Sequence, residues 1–197
     1  MRFDTITRVF HFSMIVVVFY QMLSSIWMVA PEPGKMVNLQ MMFFTLHVWL
    51  FGWAAFLLGS TFAMIKYRDR DDWGRYFPWF YSSRRKALYA AVCKEVPDMF
   101  KGRLQPAESK SPLSGAMHGL AVLLLIGQGL TGAYVMLDLA NYGTTSADIQ
   151  LFFKFHELLG IIVWVFLFSH VFMTLFHLAV GHNNILDIFR KVSINWK

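Results

Sequence analysis

FHELLGIIVWVFLFSHVFMTLFHLAV, the stretch Phe155–Val180, decides the fold of this 197-residue chain. Its 26 residues contain one formal charge, Glu157, and three histidines, His156, His170 and His177. A helix rises about 1.5 Å per residue, so about 20 apolar residues are enough to cross the hydrocarbon core of a bilayer. The stretch is therefore predicted to be a transmembrane helix, and ionisable side chains inside such a helix usually have a functional reason.

The spacing of two of these histidines narrows that reason. His156 and His170 are 14 residues apart, which corresponds to roughly 21 Å along a helix axis. At about 100° per residue, the two side chains lie only about 40° apart around the helix. One helix face therefore presents imidazoles at two depths. A single metal ion cannot bind both, but two stacked sites can.

Composition places the chain in the membrane class. Hydrophobic residues make up 56% of the sequence and the mean hydropathy is +0.46, values typical of a membrane protein. The net charge of +6 is concentrated in one loop between apolar runs, so we predict no nucleic-acid partner. The single cysteine, Cys93, excludes an internal disulfide, the CxxCH attachment of c-type haem and a cysteine-ligated iron–sulfur cluster.

Three further apolar runs complete the pattern. The fold class predicted is an all-α membrane protein, a four-helix transmembrane up-down bundle that forms a single domain over residues 1–197. Turn-forming residues separate the runs at 30–34 and at 138–150. The predicted elements are helices at about 9–29, 41–65, 115–137 and 155–180, and a loop over 66–114.

Positive charge predicts the orientation of this bundle. Sixteen Lys and Arg residues lie on the side of the termini and of the 66–114 loop, whereas two, Lys35 and Lys154, lie on the other. The positive-inside rule therefore places both termini and the loop in the cytoplasm. Aromatic and basic residues are mixed in the first half of the loop. This half is interpreted either as an interfacial segment at lipid headgroup depth or as a docking surface for a soluble partner.

The predicted topology gives each intramembrane histidine a depth. His47 and His156 fall in the outer half, and His11 and His170 fall near the cytoplasmic surface. Zinc normally needs three or four protein ligands, whereas haem iron needs only two axial ligands because the porphyrin supplies the rest. We therefore predict two b-type haems, an outer one on His47 and His156 and an inner one on His11 and His170. The alternative is that each histidine only forms hydrogen bonds between helices.

Other residues are assigned supporting roles. Gly52 and Gly160 each lie about one turn after a predicted ligand and are predicted to make room for a flat macrocycle. His118 and His177 lie near the cytoplasmic end and are predicted to contact haem propionates or a quinone. Arg8, one turn before His11, is predicted to pair with a propionate, or else to be a positive-inside anchor.

Three polar residues near these sites have more ordinary interpretations. Gln128, in the middle of the third run, is interpreted as a hydrogen-bonding residue between helices. Glu157 is either a partner of His156 or a residue that reaches water at the outer surface. His182 is interpreted as an interfacial residue.

Several motifs resemble those of the bacterial cytochrome b561 family, whose superfamily includes the b-type subunits of nickel–iron hydrogenases and the gamma subunits of formate dehydrogenases. The motifs are RVFH at 8–11, LHVW at 46–49, SPLSGAMHGLAVLLLIGQGLTGAY at 111–134, HELL at 156–159 and HNNILDIF at 182–189. The resemblance implies the same ligand pairs, His11 with His170 and His47 with His156, and a quinone near the inner haem. The 66–114 loop resembles that of b subunits docked to a larger enzyme more than that of compact stand-alone members.

These features predict a function in a bacterial respiratory chain. We expect a multi-pass protein of the inner (cytoplasmic) membrane that passes electrons between a quinone pool and a soluble or membrane-attached redox partner, as an electron-transfer subunit. Membrane lipid is a further partner, and a homo-oligomer is compatible with the pattern. Two alternatives stay open: a stand-alone quinone-linked oxidoreductase, and a non-redox transporter whose histidines bind protons or metal ions.

Overall fold

The structure, a computed structural model, describes residues 5–28, 38–68, 73–105, 111–142 and 149–189, and this part of the chain is helical with no strand. The helices are α1 (Thr5–Trp27), α2 (Leu39–Thr45), α3 (Trp53–Arg68), α4 (Trp73–Tyr76), α5 (Ser82–Phe100), α6 (Pro112–Tyr142) and α7 (Ile149–Ala179). A π-helical segment, Leu46–Gly52, joins α2 to α3 without a break. Short 3₁₀ helices follow α4 and α7, at Pro78–Phe80 and Asn183–Ile188.

Four stretches of the described chain are long and apolar enough to cross a membrane. They are Arg8–Trp27, Leu39–Thr61, Pro112–Asp138 and Ile149–Ala179. Large apolar side chains on these helices remain exposed, for example Phe168 at 65% and Phe172 at 64%. In a bilayer, such surfaces face lipid rather than water. The prediction of four apolar spanning helices is therefore confirmed.

The connection between α6 and α7 is shorter than the sequence predicted. Helix α6 continues to Tyr142 and α7 begins at Ile149, although both termini fall inside the predicted 138–150 connection. The sequence from Asp138 to Tyr142 contains no glycine or proline, and the first helix-breaking residue is Gly143. Helix α6 thus ends later, and α7 begins earlier, than composition alone indicated.

The 66–114 loop is largely helical in its described part, because α4 and α5 both lie within it. Helix α4 packs against the beginning of α6 at two glycines. A Cβ atom on Gly119 would collide with the carbonyl group of Tyr76, and one on Gly115 would meet the carbonyl oxygen of Arg75. Small residues one turn apart allow such close backbone approach. The two glycines therefore allow α4 to pack closely against the spanning helix α6.

A serine joins α5 to the first turn of α6. Ser111 is buried, and its hydroxyl lies 2.8 Å from the Glu95 carboxylate oxygens, to which it donates. The same oxygen accepts the backbone N–H of Leu113 at 3.1 Å. Ser111 therefore satisfies one of the free N–H groups at the start of α6.

The chain clusters into two compact units. The first unit comprises Met1–His11, Arg70–Ala121 and Leu167–Lys197. The second unit comprises Phe12–Asp69 and Val122–Phe166. The predicted inner ligands fall in the first unit and the predicted outer ligands in the second. The prediction of one domain over residues 1–197 stays a prediction.

Candidate functional site

In the second unit, His47 is held at its ring and at its backbone by α1. The Ser24 hydroxyl oxygen lies 2.8 Å from Nδ1 of His47. The Gln21 side-chain amide donates to the carbonyl oxygen of His47 at 2.8 Å. Ser24 is almost completely buried, at 2% exposure, and can satisfy its hydroxyl only within the protein. Both contacts come from one face of α1, since the two residues are three positions apart.

His47 lies in the π-helical segment Leu46–Gly52. A π turn contains one more residue than an α turn, and such turns are frequent at functional sites. A Cβ atom on Gly52 would lie 3.3 Å from the His47 carbonyl oxygen and 3.8 Å from the Gln21 amide nitrogen. Glycine at this position therefore leaves room for the bond between Gln21 and His47.

His156 has the same kind of surroundings, contributed by α6. The Thr131 hydroxyl oxygen lies 3.0 Å from Nδ1 of His156. A Cβ atom on Gly132 would come within 3.0 Å of the ring carbon Cε1. The imidazole therefore packs directly on the backbone of α6, in a space that any larger residue would fill.

Gln128 bonds to the backbone of α7 beside this ring. In the amide orientation that satisfies both ends, its nitrogen donates to the His156 carbonyl oxygen at 3.0 Å and its oxygen accepts from the Gly160 N–H at 3.0 Å. A Cβ atom on Gly160 would lie 3.2 Å from this amide. Gln128 thus forms hydrogen bonds between two helices, as the sequence predicted. Gly52 and Gly160 each contact a glutamine here, and their predicted role in haem packing stays a prediction.

The imidazoles of His47 and His156 lie close enough to interact electrostatically. Both side chains are half-buried. Within the described residues, no group of three or more His, Cys, Asp or Glu side chains is placed to hold a metal ion. Two imidazoles without a third ligand do not fit a zinc site but do fit the axial positions of haem. The tight contact between Gly132 and His156 also fits a ligand whose position is fixed before a macrocycle binds.

In the first unit, three histidines lie close together. His170 interacts electrostatically with both His11 and His118. The ring of His11 packs edge-on against Phe189, with centroids 5.7 Å apart. Its Nδ1 is buried and has no hydrogen-bond partner among the described residues. A buried polar atom without a partner is rare in proteins, and it fits a site completed by a group outside the polypeptide.

His118 lies on α6 and is exposed. Its Nδ1 lies 2.7 Å from the carbonyl oxygen of Ser114. A carbonyl oxygen can only accept, so Nδ1 of His118 carries the hydrogen. In the neutral ring, its other nitrogen, Nε2, is therefore a hydrogen-bond acceptor.

His177 has a partner that the sequence did not predict. Its Nδ1 lies 2.9 Å from Nδ1 of His182, with the two rings 5.2 Å apart. One of the two nitrogens must donate and the other accept. His182, interpreted from sequence as an interfacial residue, is half-buried and bound to a neighbouring imidazole.

Two remaining candidates occupy less informative positions. Arg8 lies on α1, one turn before His11, and is half-buried. Glu157 is exposed and interacts electrostatically with His156, so both interpretations of this residue stay open. The predicted contact of Arg8 with a propionate stays a prediction.

Sequence reasoning missed four residues that contact the two ligand candidates of the second unit. They are Gln21, Ser24, Thr131 and Gly132. A signal for three of them is present, because Gln-x-Leu-Ser at 21–24 is repeated as Gln-x-Leu-Thr at 128–131. Each copy lies on the helix that precedes the one with the contacted histidine, His47 or His156. The two helix pairs therefore share one short motif.

Four apolar helices with neighbouring imidazoles, and no larger ligand cluster in the described residues, define the class of membrane-embedded b-type cytochromes. The chain belongs to the prokaryotic cytochrome b561 family, which matches residues 2–191. No curated protein and no solved structure matches it. Family membership confirms the resemblance drawn from the motifs. It makes the chain a haem-binding, multi-pass membrane protein of electron transport, of a family that associates with redox partners.

Proposed function

We propose that the protein is a dihaem cytochrome that transfers electrons between a membrane quinone and a partner redox protein. His47 and His156 would hold one haem, and His11 and His170 the other. The observation that supports this most directly is the grouping of the histidines. Each proposed pair lies within one compact unit, and its imidazoles interact electrostatically.

A bound haem supplies reversible one-electron transfer, and two imidazole ligands leave the iron no open position for oxygen. The residues of the chain would orient the ligands and exclude water. The Ser24 and Thr131 hydroxyls bind the rings of His47 and His156. The apolar helices around these residues keep water away, which suits electron transfer over chemistry at the iron.

We place the quinone beside His118. Because Nδ1 of His118 donates to Ser114, the neutral ring offers Nε2 as an acceptor for a quinol hydroxyl hydrogen. The electrostatic interaction of His118 with His11 and His170 supports a position next to the inner pair. His177 would take part through its contact with His182, and Arg8 would pair with a propionate.

The orientation and membrane belong to the same proposal. Both termini and the loop that contains α4 and α5 would lie in the cytoplasm of a bacterium, in its inner membrane. The distribution of Lys and Arg, sixteen on that side and two on the other, supports this orientation.

Alanine variants of the four ligands test the pairing. His47→Ala and His156→Ala should each reduce bound haem from two to one per chain and remove the same spectral component. His11→Ala and His170→Ala should each remove the other component. Haem per chain is measured by the pyridine haemochrome assay, and the components by redox titration of the visible spectrum. Ser25→Ala is the control, because this exposed hydroxyl donates to the Met22 carbonyl oxygen of its own helix, and it should retain both haems.

Two results would contradict the proposal. A colourless protein after expression with ample haem would exclude a cytochrome. Loss of one and the same component in His47→Ala and His11→Ala would show that the ligands are paired differently.

A further inference from the structure

We propose that Ser24 and Thr131 are positioning residues that fix the tautomer and ring orientation of His47 and His156 as haem ligands. Gln21 and Gln128 fix the backbone of the same two histidines. This inference rests on the proposed function. It adds the residues that would set the midpoint potential of the haem on His47 and His156.

The hydrogen of the Ser24 hydroxyl is already used within α1. Ser24 donates to the carbonyl oxygen of Gln21 at 3.1 Å. A hydroxyl has one hydrogen, so both contacts are hydrogen bonds only when Ser24 accepts from Nδ1–H of His47 at 2.8 Å. His47 therefore carries its hydrogen on Nδ1, and the lone pair of Nε2 is free to bind iron.

The same reasoning applies to Thr131. Its hydroxyl donates to the carbonyl oxygen of Gly127 at 2.7 Å, so it accepts from Nδ1–H of His156 at 3.0 Å. The amide nitrogen of Gln128 is placed to donate both to the His156 carbonyl oxygen and to Nδ1, each at 3.0 Å. Nδ1 can donate to Thr131 or accept from Gln128, but not both, and the inferred tautomer is the one in which it donates to Thr131, as His47 does to Ser24.

Each ligand residue is thus held at two places. A hydroxyl binds the ring, and a glutamine three positions earlier on the same helix binds the backbone carbonyl. Holding the ring and the main chain together leaves the imidazole little freedom to rotate. Partners of this kind orient metal-ligating histidines and are nearly as important as the ligands themselves.

A bond from Nδ1–H to an oxygen acceptor makes the imidazole a stronger donor to iron, which favours oxidised haem. Removal of the acceptor should therefore favour reduced haem. We expect a change of about tenfold in the ratio of reduced to oxidised haem, which equals about 59 mV upward for one electron.

The test compares hydroxyl-free variants with matched controls in the full-length protein. Ser24→Ala and Thr131→Val should each raise the midpoint potential of the haem that His47→Ala removes. They should also shift the low-spin electron paramagnetic resonance signal of that haem, and leave the other haem unchanged. Ser25→Ala and Thr45→Val are the controls, because these exposed hydroxyls donate only to carbonyls of their own helices, Met22 at 2.7 Å and Met41 at 3.0 Å.

Hydroxyl-preserving variants separate positioning from packing. Ser24→Thr and Thr131→Ser should keep the wild-type potential, even if Ser24→Ala or Thr131→Val loses haem. Loss of haem in Ser24→Thr as well as Ser24→Ala would overturn the inference, because the size of the residue would then matter rather than its hydroxyl.

The outcomes also separate this inference from the proposed function. Two haems with unchanged potentials in Ser24→Ala and Thr131→Val would overturn the positioning role and leave the cytochrome intact. A wild-type protein without haem would overturn both.

Discussion

The two histidine groups differ in how the protein holds their imidazoles. In the second unit, His47 and His156 each have a hydroxyl within 3.0 Å of Nδ1. In the first unit, Nδ1 of His11 is buried with no partner in the described chain, and the neighbouring His118 is exposed. A ligand held by the protein is oriented before its cofactor binds, whereas one without such contacts depends on the cofactor for its orientation.

This difference suits different tasks. A rigid, enclosed site favours rapid one-electron transfer, because little has to reorganise. An exposed site allows a mobile substrate to approach and exchange protons. The contrast therefore agrees with the proposed quinone site near His11, His118 and His170, and with the proposed role of His47 and His156 in electron transfer alone.

The largest expected effect comes from filling the space beside His156. Gly132→Leu should reduce bound haem from two to one per chain, because even its Cβ would lie 3.0 Å from the imidazole ring. Only the component assigned to His47 and His156 should disappear from the visible redox titration.

Gly129→Leu is the matched control on the same helix, since a Cβ atom there meets nothing within 4 Å and the residue is exposed. It should keep both haems. If Gly132→Leu keeps both as well, His156 has more freedom than its contacts indicate, and the contrast between the two groups fails.

The sequence predicted the features that depend on long runs of residues better than those that depend on single residues. Hydropathy predicted four spanning helices, because burial in lipid requires about 20 apolar residues in a row. The glycine and proline content of a segment set the predicted helix ends. This signal failed at 138–150, where α6 continues to Tyr142 and α7 already begins at Ile149.

The site was predicted less completely than the fold. Histidines stand out in an apolar sequence, so the ligand candidates were visible from spacing alone. Ser24 and Thr131 were not, because hydroxyl residues in spanning helices usually bond to their own backbone, and both also do so here. Only the three-dimensional pairing of helices shows that they have a second partner.

The next effect concerns the first unit, which relies on close backbone packing between α4 and α6. Gly119→Ala should lower stability by about 1–3 kcal/mol, because its methyl group collides with the Tyr76 carbonyl. Thermal unfolding in detergent, followed in the visible spectrum, should show the His11 and His170 component lost at a lower temperature than in wild type.

Gly59→Ala serves as the control, since a Cβ atom there also meets nothing within 4 Å. It should unfold as the wild type does. Equal loss of both haem components in Gly119→Ala would mean that packing in the first unit also supports the ligands of the second.

The smallest effect separates the two ligands of the second unit from each other. Gln21 forms one hydrogen bond, to the His47 carbonyl, whereas Gln128 bonds to both the His156 carbonyl and the Gly160 N–H. Each such bond contributes about 1 kcal/mol. Gln128→Leu should therefore reduce thermal stability more than Gln21→Leu, by about that amount, when unfolding of the haem-loaded protein is measured. The reverse order would mean that the π turn around His47 needs its glutamine more than the regular turn around His156 does, because a widened turn is less stable by itself.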